Sequence, residues 1–402
     1  MLINIMEIIS SIKTKAKELS SELIEIRRHL HRNPELSMEE EMTASFIASQ
    51  LGKHGIPFKA GIAGHGIVAH IKGRNPESFT IALRADMDAL PIAEENITEY
   101  KSCKPGVMHA CGHDVHMACL LGASFILQDL RDKFEGTIRL IFQPSEEKFP
   151  GGASMMIKEG VLENPKPYQI LGQHVLPTLA AGKAGFRSGS YMASTDEIYL
   201  TVKGRGGHAA TPEINIDPVL IAAHILISLQ QIVSRNAPPT LPTVLSFGRF
   251  IAEGRTNIIP SEVKLEGTLR TFDEKWRAEA HTKITRMAES IAQSMGGTCQ
   301  VFIDKGYPFL VNNEQVTDMA YKAAKQYLGD DNVVKLDMRL TAEDFAYYAQ
   351  QIPGCFYRLG VANQEKGITH NLHTPLFDID ESSLETGAGL MAWLTYNSLM
   401  QE

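Results

Sequence analysis

Between Val107 and Met117 the chain places His109, Cys111, His113, Asp114 and His116, five side chains able to donate to a metal. A thiol beside several imidazoles invites metal binding and oxidation, so a bound cation explains the crowding better than a purely structural loop does. The leading expectation is therefore a metalloenzyme. Other residues of the same chemical kinds stand far away in sequence: Asp86 and Asp88, the pair Glu146-Glu147, His174 and His373. Folding has to bring them to the cluster if they are to share its work.

The elements that must do so follow from periodicity. Apolar residues at helical spacing predict a helix from Ile8 to Arg32, stopped by Asn33-Pro34, and a second from Glu39 to His54. Strands are expected at Gly66 to Ile71, Phe79 to Ala85, Thr137 to Phe142 and Gln169 to Val175, with helices at Val115 to Leu130 and after Gly151-Gly152. This alternation predicts an α/β catalytic domain, a mixed or mostly parallel sheet flanked by helices. Asp86, Asp88, Glu146, Glu147 and His174 then fall at or just beyond strand ends, where open α/β sheets gather their ligands.

From about Ser190 the pattern changes. A half-buried strand around Ile198 to Val202 precedes a helix that Asp217-Pro218 caps and starts. Strands at Thr243 to Ile251 and Glu262 to Thr271, a helix from Asp273 to Met295 and a strand at Thr298 to Ile303 complete a β-α-β-β-α-β order, that of a ferredoxin-like α+β unit. After about Pro308 the α/β pattern resumes, with helices at Glu314 to Tyr327, at Ala342 to Gln350 and from Glu381, and a strand at Cys355 to Leu359. The expected organisation is a catalytic domain split into residues 1–189 and 307–402, with residues 190–306 inserted.

Composition narrows the function classes. The 402 residues, 44% hydrophobic, exceed what a single core of about 250 to 300 residues holds, which agrees with two domains. A net charge of -8 with interspersed signs argues against a partner that tracks nucleic-acid phosphates. The five cysteines form no Cys-x-x-Cys pair and cannot all be bridged, so a reducing compartment is expected. Glu7 and Lys13 interrupt the first apolar stretch, unlike a signal-peptide core, and no run of about 18 apolar residues predicts a membrane span. A cytoplasmic protein is the resulting expectation.

Six motifs now make a resemblance specific. Arg28-His-Leu-His-Arg-Asn-Pro-Glu35, Arg84-Ala-Asp-Met-Asp-Ala-Leu-Pro91, Met108-His-Ala-Cys-Gly-His-Asp114, Phe142-Gln-Pro-Ser-Glu-Glu147, Gly204-Arg-Gly-Gly-His208 and Leu372-His-Thr-Pro375 occur in this order. Together, across nearly the whole chain, they resemble the M20 metallopeptidase family. The likeness is strongest to its amidohydrolase branch of N-acyl-amino-acid, hippurate and auxin-conjugate hydrolases.

The resemblance implies two divalent metals held by Cys111, His113, Glu147, His174 and His373. Such a mixed set suits zinc or manganese, with cobalt or nickel as further choices. It makes Glu146 the general base that takes a proton from metal-activated water, because adjacent glutamates cannot both do one job. Many M20 peptidases carry His-x-Asp where this chain has Arg84-Ala-Asp86, so Asp86 is expected to orient a ligand, with a turn or cap role as the alternative. His109 and His116 are not expected to ligate, and Asp114 is expected to steady a ligand. His208 is implied to stabilise the oxyanion from a partner subunit, and Asn257 and Arg270 to hold substrate carbonyl or carboxylate groups. An exposed histidine on a glycine-rich hairpin and a solvent-facing strand arginine are the plainer readings of His208 and Arg270.

The inserted domain would then be a lid and a homodimer interface. The expected reaction is cleavage of the amide in a small N-acyl-amino acid. A dipeptidase or an N-acetyl-diaminopimelate deacetylase shares the same metal chemistry, and an inactive metal-stabilised binding protein is the alternative of another class.

Overall fold

The computed structural model describes residues 5–400, so residues 1–4 and 401–402 of the expected outer segments lie outside it. Two compact units are present. One runs up to Tyr191, then takes in Val311–Met338 and the chain from Asp344; the other comprises Met192–Leu310 and Arg339–Glu343.

The first unit is built on an eight-stranded mixed sheet. Its order is Phe58–Ile62, Gly66–Lys72, Thr137–Gln143, Thr80–Asp86, Gln169–Ala180, Gly354–Ala362, Ala184–Phe186 and Val333–Lys335. The four central strands are parallel, with Leu83 level with Leu140 and Leu171, and Phe356 level with Gly172. Thr80–Asp86 and Thr137–Gln143 are buried at every position, so their sequences read as apolar runs rather than alternating ones. Helices Ile5–Arg32, His113–Asp129 and Ser382–Leu399 pack against one another in the same core. Gly122 permits that approach, since a Cβ there would lie 2.8 Å from Ala388 and from Leu23.

Several boundaries moved. The strand from Gln169 does not end at Val175 but continues to Ala180, and the helix expected at Ala342 to Gln350 contracts to Ala346–Ala349. Strands Phe58–Ile62, Ala184–Phe186 and Val333–Lys335 gave no signal in the sequence, because they are short and depend on a neighbour for their pairing.

The second unit is a four-stranded antiparallel sheet in the order Thr243–Ile251, Glu262–Thr271, Asp196–Lys203, Thr298–Lys305. Numbered along the chain this is 2-3-1-4, the ferredoxin-like order, and helices Pro218–Leu229 and Glu274–Ser294 share its core. Asp217 caps the first helix by accepting from Val219 and Leu220, and Asp273 caps the second at Trp276. Pro218–Asn236 has the length and mean hydropathy (1.3) of a membrane span, a test that a core helix also passes, and 33% of its most apolar 18-residue window is buried. Ile221, Ala222, Ile225 and Leu229 line its buried side, whereas Leu220 and Ile227 are 51% and 72% exposed.

Candidate metal centre

The first unit brings together five donors from four segments. Cys111 lies just before, and His113 at, the first residue of helix His113–Asp129. Gly112 between them adopts φ 82°, and a Cβ there would lie 2.5 Å from Val175. Glycine thus lets this loop close onto the strand that carries His174. His373 arrives from the C-terminal part in a left-handed backbone conformation (φ 61°), and its N–H donates to the carbonyl of Ala110 at 2.8 Å. Glu146 and Glu147 follow the strand Thr137–Gln143.

The donors form two triads that share one sulfur. Cys111, His113 and His174 offer ligand atoms within 4.8 Å of one another, and so do Cys111, Glu147 and His373. Cys111 Sγ is 3.5 Å from His174 Nε2 and 3.3 Å from His373 Nε2. Glu147 Oε1 is 3.4 Å from His373 Nε2 and 3.8 Å from His113 Nε2. Glu146 joins a further group with His113 and Glu147.

Hydrogen bonds leave the right ring nitrogens free. His113 Nδ1 lies 2.8 Å from the carbonyl of Asp88, so it donates, and its buried Nε2 has no hydrogen-bond partner. His174 Nδ1 likewise donates to the carbonyl of Val175 at 2.8 Å. Fixing the tautomer through the other nitrogen is how ligating histidines are oriented. His116 is different: Nδ1 is 2.6 Å from Asp86 and Nε2 accepts from the backbone of Val175, so both nitrogens are already used.

Electrostatics point the same way. Burial, then Glu147, Glu146 and Asp86, hold the Cys111 thiol well above its ordinary value, so it ionises only against a strong positive charge. Burial opposes protonation of His113, yet Asp86 and Asp88 outweigh it and push the ring up to about 10. Burial, Arg358 and His116 keep His174 neutral. The pocket therefore combines negative groups, one neutral imidazole, and orphaned buried atoms at His113 Nε2 and Glu147 Oε1. That donor set fits a pair of divalent cations.

The supporting residues are partly unexpected. Asp86 braces His116 and accepts from Arg84 at 2.7 Å, with Oδ2 3.6 Å from His113 Nε2. Asp88, which the sequence placed only as a strand-end carboxylate, accepts from the backbone N–H groups of Glu146 and Glu147, each at 2.9 Å, and from Ser37 at 2.6 Å. Its Oδ1 is 3.4 Å from His113 Nδ1. Asp86 and Asp88 are two residues apart, and the period of an extended chain puts both on one side, which extends the strand-end placement expected of Asp88 to a role beside Asp86. Asp114 pairs instead with Arg27 and His31, each at 2.8 Å, and His109 is buried outside both triads.

In the second unit His208 is exposed and level with Ile258, and the N–H of Ala209 donates to the carbonyl of Asn257 at 3.0 Å. Arg270 is half-buried and donates to Thr268; with Tyr199, Ser246, Arg249 and Glu266 it lines a surface depression on the sheet.

Comparison with known proteins places this geometry. Residues 82–397 match the model of peptidase family M20/M25/M40. Thermostable carboxypeptidase 2 of Saccharolobus solfataricus is 39% identical over 386 residues, covering 95% of this chain and 97% of its own length. The N-acetyl-L-cysteine deacetylase of Bacillus subtilis is 39% identical, over 91% of this chain and 85% of its own. Among solved structures, the YXEP protein of Bacillus subtilis, described as a dinuclear metal-binding peptidase of the M20 family, superposes with a TM-score of 0.82 at 34% identity, over 96% of this chain and all of that one. The chain therefore belongs to peptidase family M20/M25/M40, in its amidohydrolase branch, and is a hydrolase acting on amides.

Proposed function

We propose that this protein is an N-acyl-amino-acid amidohydrolase that works with two divalent cations. The carrying observation is that two donor triads share Cys111 Sγ, with Glu146 beside them. Cys111, His113 and His174 would hold one cation, and Cys111, Glu147 and His373 the other. When bound, the cations polarise the scissile carbonyl and acidify water. Glu146 takes the proton from that water and returns it to the leaving nitrogen, while Asp88 fixes the backbone of both glutamates. Zinc or manganese is the proposed metal, with cobalt or nickel as further choices.

The deacetylase relative supports an acyl-amino acid as substrate, with Asn257 and Arg270 receiving its carbonyl and carboxylate. The exposed Leu220 and Ile227 support a homodimer through the second unit, in which His208 would serve the partner's reaction. The location proposed is the cytoplasm. The carboxypeptidase relative favours a second reading, cleavage of peptides.

Turnover of acetyl-, benzoyl-, long-acyl- and indoleacetyl-amino acids and of dipeptides, after reconstitution with each metal, separates the two readings. Glu146→Gln should lower kcat by at least about a hundredfold with metal content unchanged. Near-native turnover would reject the base assignment.

A further inference from the structure

The glutamate pair sits on a turn that no local preference of its sequence would form. Ser145 has φ 54° in the left-handed region, where a side chain other than glycine is disfavoured, and it is fully buried. Such a conformation persists only if its surroundings over-determine it.

Three polar anchors do so. Asp88 accepts from the N–H groups of Glu146 and Glu147. The N–H of Gly152 donates to the carbonyl of Ser145 at 2.8 Å. The remaining N–H, that of Ser145 itself, donates to Glu40 Oε1 at 2.7 Å. Glu40 is 0% exposed and stands immediately before helix Glu41–Lys53. Its loop is itself fixed, because Ser37 donates to Asp88, the carbonyl of Glu35 accepts from the N–H of Ala89 at 2.7 Å, and the Glu35 carboxylate caps the helix at Thr43.

We propose that Glu40 is a positioning residue of the catalytic centre. As the hydrogen-bond acceptor that pins Ser145 in its left-handed conformation, it sets where Glu146 and Glu147 point. The inference rests on the assignment of Glu146 as base and Glu147 as ligand. A carboxylate remote in sequence thereby becomes part of the reaction's geometry without touching substrate or metal. What it supplies is an oxygen at one place, so an amide of the same shape should serve nearly as well as a carboxylate.

The test compares Glu40→Ala, Glu40→Gln and Ser145→Gly, singly and as the Glu40→Ala/Ser145→Gly pair. The readouts are kcat, KM and the titration of apoprotein with Co2+, followed by its d–d and thiolate charge-transfer absorption. Glu40→Ala should weaken Co2+ binding by roughly ten- to hundredfold, the range for lost outer contacts, and lower kcat with KM little changed. Glu40→Gln should stay within about threefold of the parent, since it keeps an acceptor oxygen. Ser145→Gly removes the conformational penalty, so in the Glu40→Ala background it should recover part of both losses.

Equal losses in Glu40→Gln and Glu40→Ala, or no recovery in the double variant, would overturn the proposal, as would unchanged Co2+ affinity and kcat in Glu40→Ala. If Glu146→Gln is fully active, the base assignment itself has failed; the Co2+ titration reports on the ligand turn independently of that result.

Discussion

Gly152 offers a sharp test of how closely the turn before the two glutamates is held. Its φ is not in the left-handed region, so alanine is conformationally acceptable there, and helix Gly152–Lys158 would gain a better helix former. Space forbids it: a Cβ at this position would lie 1.7 Å from the carbonyl oxygen of Pro144 and 2.8 Å from its carbon. Both obstacles are backbone, which cannot rotate away as a side chain can. Relief requires the Pro144-Ser145 peptide and the helix start to separate by about 1.5 Å, given ordinary carbon-oxygen contact distances. That motion stretches the hydrogen bond from Gly152 to Ser145 and displaces the next two residues, Glu146 and Glu147. A misplacement of about 1 Å costs roughly a hundredfold in rate when reacting groups must be aligned. Gly152→Ala should therefore lower kcat by about two orders of magnitude while far-ultraviolet circular dichroism stays native. Steady-state kinetics at saturating metal, with metal content measured on the same sample, checks this. Native kcat in a folded Gly152→Ala protein would show that the turn yields without moving the glutamates, and the coupling would be refuted.

Other perturbations reach different parts of the molecule. Arg27 is fully buried and bonds Asp114 at 2.8 Å and Asp378 at 3.0 Å, so Arg27→Met leaves the buried Asp114 with His31 as its remaining partner and should cost about 3 kcal/mol in urea unfolding, the lower end for a broken buried pair; a loss below about 1 kcal/mol would contradict this. His70 accepts from Arg139 at 3.1 Å, and burial, then Arg139 and Lys72, push its pKa down to about 4. The unfolded chain thus binds a proton below about pH 6.5 that the folded one refuses until about pH 4, and stability falls as pH drops through this window. Because the ring is partly exposed the loss is on the order of 1 kcal/mol, and His70→Gln should flatten that part of the stability curve; identical pH profiles would dismiss the assignment. Ile227→Asp places a charge on the exposed apolar side of Pro218–Leu229 and should shift the proposed dimer to monomer in sedimentation, whereas a wild-type chain that sediments as monomer would remove that interface and with it the partner role of His208.

Much of this protein was legible before folding was considered. Cys111-Gly-His113 and Glu146-Glu147 carry chemistry in their composition, and Gly112 is required both by its left-handed φ and by the packing of Val175. The long helices and the buried parallel strands announced themselves through apolar content that no other arrangement would bury. The ferredoxin-like unit followed from element order alone, because its connections leave few topologies open.

What the chain did not display was which ordinary polar residue would be drawn into the centre. Asp88, marked only by its place at a strand end, and Glu40, not marked at all, meet the glutamate turn from 58 and 105 residues away, and the reason His116 does not ligate, as expected, is that Asp86 and the backbone of Val175 occupy its two nitrogens. Donor chemistry is a property of a side chain and is written in the sequence. Orientation, tautomer and strain arise from contacts between distant segments in a low-dielectric interior, so only the tertiary structure decided those.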